Sequence, residues 1–145
     1  MLKLSAALYQ QIRRHGEETY PEECCGILLG TFEGRIRSVR RAVRCQNASA
    51  QERSRRFVID PREVIRAQRA GRESDFDIVG FYHSHPDHPA EWSPTDLAEA
   101  HWIGCSYAII AVANGNAGEL KSFVLEGSVE ENKRFVSEEL CLTDA

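Results

Sequence analysis

The stretch Tyr82-His83-Ser84-His85-Pro86 carries two imidazoles at a spacing of two. In an extended strand that spacing puts both rings on one face while Ser84 points to the other. Asp96 follows in the first turn of a helix opened by Ser93-Pro94, across a loop bounded by prolines. Two nitrogens and one carboxylate oxygen suit zinc, with bonds of roughly 2.0–2.2 Å and a fourth position left to water. No Cys-x-x-Cys pair offers a closed, purely structural alternative. Each piece has an ordinary explanation by itself: His-Ser-His as a polar strand end, Ser93 and an acid three residues later as a capping box. Their coincidence in so short a span favours the metal. Ser93 serves both readings, because a hydroxyl that accepts from the Asp96 amide still has a hydrogen to donate.

A second group of reactive residues stands upstream in "PEECCG", where Glu22 and Glu23 precede Cys24 and Cys25. In an extended backbone neighbouring side chains face opposite ways, so at most one of the two glutamates points at the metal. The pattern alone leaves open which. Cysteine before glycine inside an apolar strand reads as a packing thiol, whereas a thiol nucleophile needs an exposed, electropositive setting. A zinc deaminase would carry His-x-Glu and Pro-Cys-x-x-Cys, and neither is present. His88 belongs to the rim of the loop between the candidate ligands. His15 and His101 fall at helix ends and read as structural. Trp92 borders the groove next to Ser93, and Trp102 reads as core. Cys45, Cys105 and Cys141 lack any matching partner motif.

"HSHP", then Ser93, then Asp96 resembles the JAMM (MPN+, Mov34/JAB) metalloprotease signature, His-x-His-Pro-x(6)-Ser-x-x-Asp. "ECCG" resembles the Glu-x-Cys-Gly setting of that family's upstream glutamate, and "CGILLG", Asn47, "RFVIDPREV", "IVGFYHSHP" and "YAIIAV" stand in family order. The resemblance implies an α+β, MPN-like (cytidine-deaminase-like) fold, a mixed curved β-sheet packed with about three helices. It implies one Zn2+ per chain held by His83, His85 and Asp96, with water as fourth ligand. It selects Glu23 over Glu22 as general base and gives Ser93 the oxyanion of the tetrahedral intermediate. It further implies hydrolysis of a peptide or isopeptide bond at the Gly-Gly tail of a ubiquitin-like or sulfur-carrier protein of the ThiS or MoaD type. Isopeptidase action on other conjugates, or a zinc-binding interaction module without peptidase activity, are the alternatives. Non-catalytic relatives of this type have lost ligands, and here the full set is retained.

The elements that must position these residues are legible in outline. The chain has 145 residues, enough for one domain spanning 1–145. It is 42% hydrophobic and 28% charged with a formal net charge of −4, so nothing global draws it to nucleic acid or anionic membrane. Arginines crowd the middle (Arg35, Arg37, Arg40, Arg41, Arg44, Arg53, Arg55, Arg56), as solvated faces or as a docking surface for an acidic partner. An odd cysteine count and the lack of a leader-like run point to a reducing cytoplasm. Leu4, Leu8, Ile12 and His15 predict a helix capped by Ser5 and closed by Pro21. A buried strand over Cys25 to Phe32 turns at Glu33-Gly34 into a partner running from Arg35 to Cys45. After a polar loop, Arg56 to Ile59 reads as a short strand. Asp60-Pro61-Arg62-Glu63 starts a helix ending near Gly71. Asp77 to His85 is a strand, Ser93-Pro94 begins a helix reaching about Trp102, and Tyr107 to Ala113 and Leu120 to Leu125 are strands joined through "NGNAG". A last strand lies around Phe135 to Leu142.

Overall fold

The computed structural model describes residues 1–144. Its order is β1 (Leu2–Ser5), α1 (Ala6–Thr19), β2 (Cys25–Glu33), β3 (Ile36–Cys45), α2 (Pro61–Arg72), β4 (Asp77–Pro86), α3 (Pro94–Glu99), β5 (Ser106–Ala113), β6 (Asn116–Glu126), a single 3-10 turn (Glu130–Asn132), β7 (Arg134–Glu138) and β8 (Leu140–Thr143). All eight strands form one mixed sheet in the order β7-β6-β5-β4-β2-β3-β1-β8, and the class is α+β as expected. The pairs β4–β5, β1–β3 and β1–β8 are parallel and the others antiparallel.

The helix starts follow from local chemistry. Ser5 caps α1 by accepting from the Leu8 amide at 3.1 Å. Asp60 caps α2 by accepting from the Arg62 amide, with Pro61 in the first helical turn. The β5–β6 hairpin turns on Asn114 and Gly115, both at positive φ (52° and 82°), the conformation a tight two-residue hairpin requires. β4 is buried along nearly its whole length, because it lies inside the sheet with side chains packed on both faces.

Strand alternation divides the core. Leu28, Val79, Tyr82, Ile110 and Val112 pack with Leu8 and Ile12 of α1 on one face. Ile27, Leu29, Ile78, Phe81 and Tyr107 pack with Ala67 of α2 on the other. Tyr82 lies over Gly26, where an added Cβ would stand 2.1 Å from its ring. His83 and His85 are in phase with Phe81, so they emerge on the α2 face.

Four local expectations are corrected. Leu4 belongs to β1, not to the first helix: Leu2 and Leu4 alternate inward in a strand paired with β3 and β8. Arg56 to Ile59 forms no strand, since the Val58 amide donates to the Asn47 side chain and its carbonyl accepts from Ala48. α3 stops at Glu99, where extended, buried Ala100 begins the descent into the core. The final strand divides at Glu139 into β7 and β8, which occupy opposite edges of the sheet. One residue cannot span a flat eight-stranded sheet, with strands roughly 4.8 Å apart, so the sheet curves until its edges meet. The Glu138 side chain, 4% exposed, sits at that seam, accepting from Ser106 Oγ (2.6 Å) and Ser122 Oγ (2.7 Å) and facing Arg37 Nη1 at 3.4 Å.

Candidate metal centre

Two elements converge on one point. β4 supplies His83 and His85, and the start of α3 supplies Asp96. Their ligand atoms lie within 4.8 Å of one another. His83 Nε2 is 3.2 Å from His85 Nε2, Asp96 Oδ1 is 3.3 Å from His83 Nε2, and Asp96 Oδ2 is 3.1 Å from His85 Nε2. His83 and His85 are buried and Asp96 is partly buried, and Phe57 stacks on the His83 ring with centroids 4.4 Å apart.

The surroundings fix each orientation. His85 Nδ1–H donates to the Pro89 carbonyl at 2.9 Å, which turns Nε2 toward the cluster. Ser93 and Asp96 form a reciprocal capping box: Asp96 N donates to Ser93 Oγ at 3.1 Å and Ser93 N donates to Asp96 Oδ2 at 2.9 Å. The capping box is therefore formed, and it aims the carboxylate at the histidines.

Electrostatics follow from burial and from this pairing. Burial lowers the pKa of His83 and keeps it neutral against the pull of Asp96. Burial acts the same way on His85, but Asp96 and the Pro89 carbonyl outweigh it and raise the pKa. Burial alone would raise Asp96, yet both histidines and the Ser93 amide hold it ionised, well below the usual carboxylate range. This arrangement can hold a metal ion: a charged carboxylate and inward-turned imidazole nitrogens gathered at one point.

Glu23 and Glu22 separate as the strand pairing dictates. β2 pairs with β4 so that Cys25 faces His83, and Ser84 N continues the ladder to Cys24 O at 3.2 Å. Glu23 thus lies level with His85. It is 3% exposed, whereas Glu22 is exposed. Glu23 Oε1 is buried with no hydrogen-bond partner. Burial pushes its pKa up to about 8, with Asp96 and Glu99 adding to the rise and His85 opposing it. A polar cleft brings Glu23 together with His85, His88, Ser93, Thr95 and Arg55. On the other side of the cluster, His83 and Asp96 border an apolar cavity of about 300 Å³ walled by Phe57, Phe81 and Trp102.

The remaining candidates fall into place. Cys24 and Cys25 are buried free thiols, and burial raises the pKa of both, Cys24 to about 11, which makes neither a nucleophile. Cys45 and Cys105 are buried and free, and Cys141 is partly exposed. His15 is buried inside α1, which runs on to Thr19 and so does not end at His15 as expected, with Nδ1 2.7 Å from the Tyr82 hydroxyl oxygen. His88 and Trp92 are exposed on the rim of the polar cleft. His101 lies beyond α3, exposed and paired with Glu130 at 2.6 Å. Trp102 is only partly buried and faces the apolar cavity.

Sequence reasoning missed the part played by Asn47. Its Nδ2 donates to Glu23 O (3.1 Å) and Arg56 O (2.8 Å), and its Oδ1 accepts from Ser49 N (3.1 Å) and Val58 N (3.2 Å). It clamps the loop after β3 onto the main chain of Glu23. A lone asparagine in a polar loop carries no local signal of such a partner.

Residues 5–126 match the prokaryotic homologs of the JAB domain. A desampylase of Haloferax volcanii is 35% identical over 112 residues, which are 74% of this chain and 78% of that protein. A CysO-cysteine peptidase of Mycobacterium tuberculosis is 32% identical over 133 residues, 90% of this chain and 88% of that one. A Desulfitobacterium hafniense protein solved in solution superposes with a TM-score of 0.85 at 28% identity, covering 100% of this chain and 94% of that one. The chain belongs to the prokaryotic JAB-domain family.

Proposed function

We propose that this chain is a zinc metallopeptidase that hydrolyses a peptide or isopeptide bond at the Gly-Gly tail of a ubiquitin-like or sulfur-carrier protein. The observation that carries it is the convergence of His83, His85 and Asp96 beside a buried carboxylate, Glu23, with an unpartnered oxygen. Tetrahedral bonds of roughly 2.0–2.1 Å place ligand atoms roughly 3.3 Å apart. The separations of 3.2, 3.3 and 3.1 Å between His83, His85 and Asp96 fit that spacing. Zinc held there would supply Lewis-acid polarisation of the scissile carbonyl and acidify a water in its fourth position. Glu23 takes the proton of the attacking water and returns it to the leaving amine, a role worth roughly 10²–10⁴-fold. Ser93 keeps its hydroxyl hydrogen while its oxygen caps α3, so it donates to the developing oxyanion. Residues 1–145 act as one domain in this reading. The names of the relatives, a desampylase and a CysO-cysteine peptidase, support a protein-tail substrate. No helix among the described residues is long and apolar enough to cross a membrane, and a cytoplasmic location is part of the proposal.

The test is metal analysis together with cleavage. Purified protein is expected to hold about one zinc per chain and to release the extension from a Gly-Gly-tailed carrier, followed by mass. His83→Ala and Asp96→Ala are expected to lose both. Zinc-independent cleavage, or cleavage abolished by thiol alkylation of the zinc-loaded enzyme, refutes it.

A further inference from the structure

The cleft that holds Glu23 contains a permanent cation to which neither the fold nor the proposed chemistry gives a task. Arg55 lines it beside Glu23, His85, His88 and Ser93. Among the described residues its guanidinium makes no ion pair or hydrogen bond, while the other arginines of the loop are engaged. Arg53 Nε donates to Ser49 O at 2.8 Å, and Arg56 lies 3.7 Å from Glu99. Glu91, the second carboxylate of the cleft, is paired with Lys121. The main chain on either side of Arg55 is tied to the base: Arg53 O accepts the Glu23 amide at 2.7 Å, and Arg56 O shares the Asn47 amide group with Glu23 O.

A base that returns a proton to the leaving nitrogen must face that nitrogen. The leaving group therefore occupies the cleft on which Glu23 opens. If that group is an α-amino acid, a carboxylate carbon lies two bonds from the nitrogen. If it is a lysine side chain, an uncharged alkyl stem lies there instead. A guanidinium presents a planar fork that matches a carboxylate. We propose that Arg55 is a specificity-determining residue that binds the free α-carboxylate of a single C-terminal residue. The preferred substrate is then a carrier tail ending in one α-linked amino acid, not a lysine isopeptide conjugate. Water is added across the amide bond, its hydroxyl to the tail's terminal carbonyl carbon and its proton through Glu23 to the amino acid nitrogen. This inference rests on the peptidase reading given above.

The test compares three substrates sharing one Gly-Gly-ended tail: a single added residue with a free acid, the same residue as its amide, and the tail on a lysine ε-nitrogen. The kcat/KM of the zinc-loaded enzyme is expected to favour the acid over the amide by about tenfold to a hundredfold, the worth of a charge-assisted hydrogen bond. Arg55→Gln should bring the acid-to-amide ratio close to one, and Arg55→Lys should restore part of it. A wild-type ratio near one, or a ratio that survives Arg55→Gln because both substrates slow alike, overturns the assignment. Cleavage of the lysine conjugate as fast as the acid overturns it while leaving the peptidase reading intact. No cleavage of any of the three overturns both.

Discussion

Glu23→Gln probes the base and its environment together. The Glu23 carboxyl is buried, its Oε1 lacks a partner, and burial pushes its pKa from 4.5 up to about 8. The folded chain therefore binds this proton more tightly than the unfolded chain. Its contribution to stability is fully present below pH 4.5 and is lost as pH rises through about 8. Each pH unit inside that window is worth about 1.4 kcal/mol. Between about pH 5 and about pH 7.5 the wild type should thus lose at most roughly 3 kcal/mol from this group, a loss that glutamine, which does not titrate, escapes. Urea unfolding of chelator-treated wild type and Glu23→Gln at the two pH values measures the difference, which includes the change at His85, whose pKa the Glu23 charge helps to raise. In the zinc-loaded protein the same variant should retain its metal and lose cleavage by roughly 10²–10⁴-fold. Glu22→Gln, altering an exposed side chain, should do little in either assay. Parallel pH dependences for wild type and Glu23→Gln would refute the burial argument. Zinc lost from Glu23→Gln, or cleavage lost from Glu22→Gln, would refute the assignment of the base.

Two further substitutions test the supports of the site and the fold. Asn47→Ala removes two donated and two accepted hydrogen bonds. It should cost about 2–4 kcal/mol in urea unfolding, and it should lower kcat with zinc content unchanged, since Glu23 loses its clamp but the ligands do not. Glu138→Ala strips the seam of the acceptor shared by Ser106 and Ser122 and leaves Arg37 without its carboxylate. A loss of about 3–5 kcal/mol is expected, read as a lower urea midpoint.

What the sequence made legible was what the chain decides locally. The two histidines and Asp96 lie on consecutive elements, so spacing and the capping pattern at Ser93 were enough to assemble them. Asp60-Pro61 and Glu33-Gly34 likewise marked α2 and the β2–β3 hairpin with residues that act over a turn. The errors share the opposite character. β1 has four residues, and its Leu2/Leu4 alternation has meaning only beside β3 and β8. The division at Glu139 depends on two sheet edges meeting, which no window around Phe135 to Leu142 can reveal. Arg56 to Ile59 has the composition of a strand, but the Asn47 side chain satisfies its Val58 amide and no neighbouring strand is there to take it.

The choice between Glu22 and Glu23 shows where the two kinds of information meet. Alternation in an extended backbone allowed at most one of them to face the cluster, but alternation has no origin of its own. The origin is the pairing of Cys25 with His83, across a sequence gap that holds a strand, a loop and a helix. A slip of one residue of β2 along β4 would bring Glu22 in place of Glu23 to the face that carries His83 and His85. The register is held by more than the ladder: the Cys24 amide donates to Ser84 Oγ at 2.7 Å, and Gly26 leaves the room that the buried Tyr82 ring fills. None of Cys24, Ser84, Gly26 and Tyr82 is a candidate ligand, and Cys24, Ser84 and Tyr82 are the chain neighbours of Glu23, His83 and His85. Their effect is to fix which carboxylate is buried, and burial is what raises its pKa into the range where a base can both take and return a proton near neutral pH.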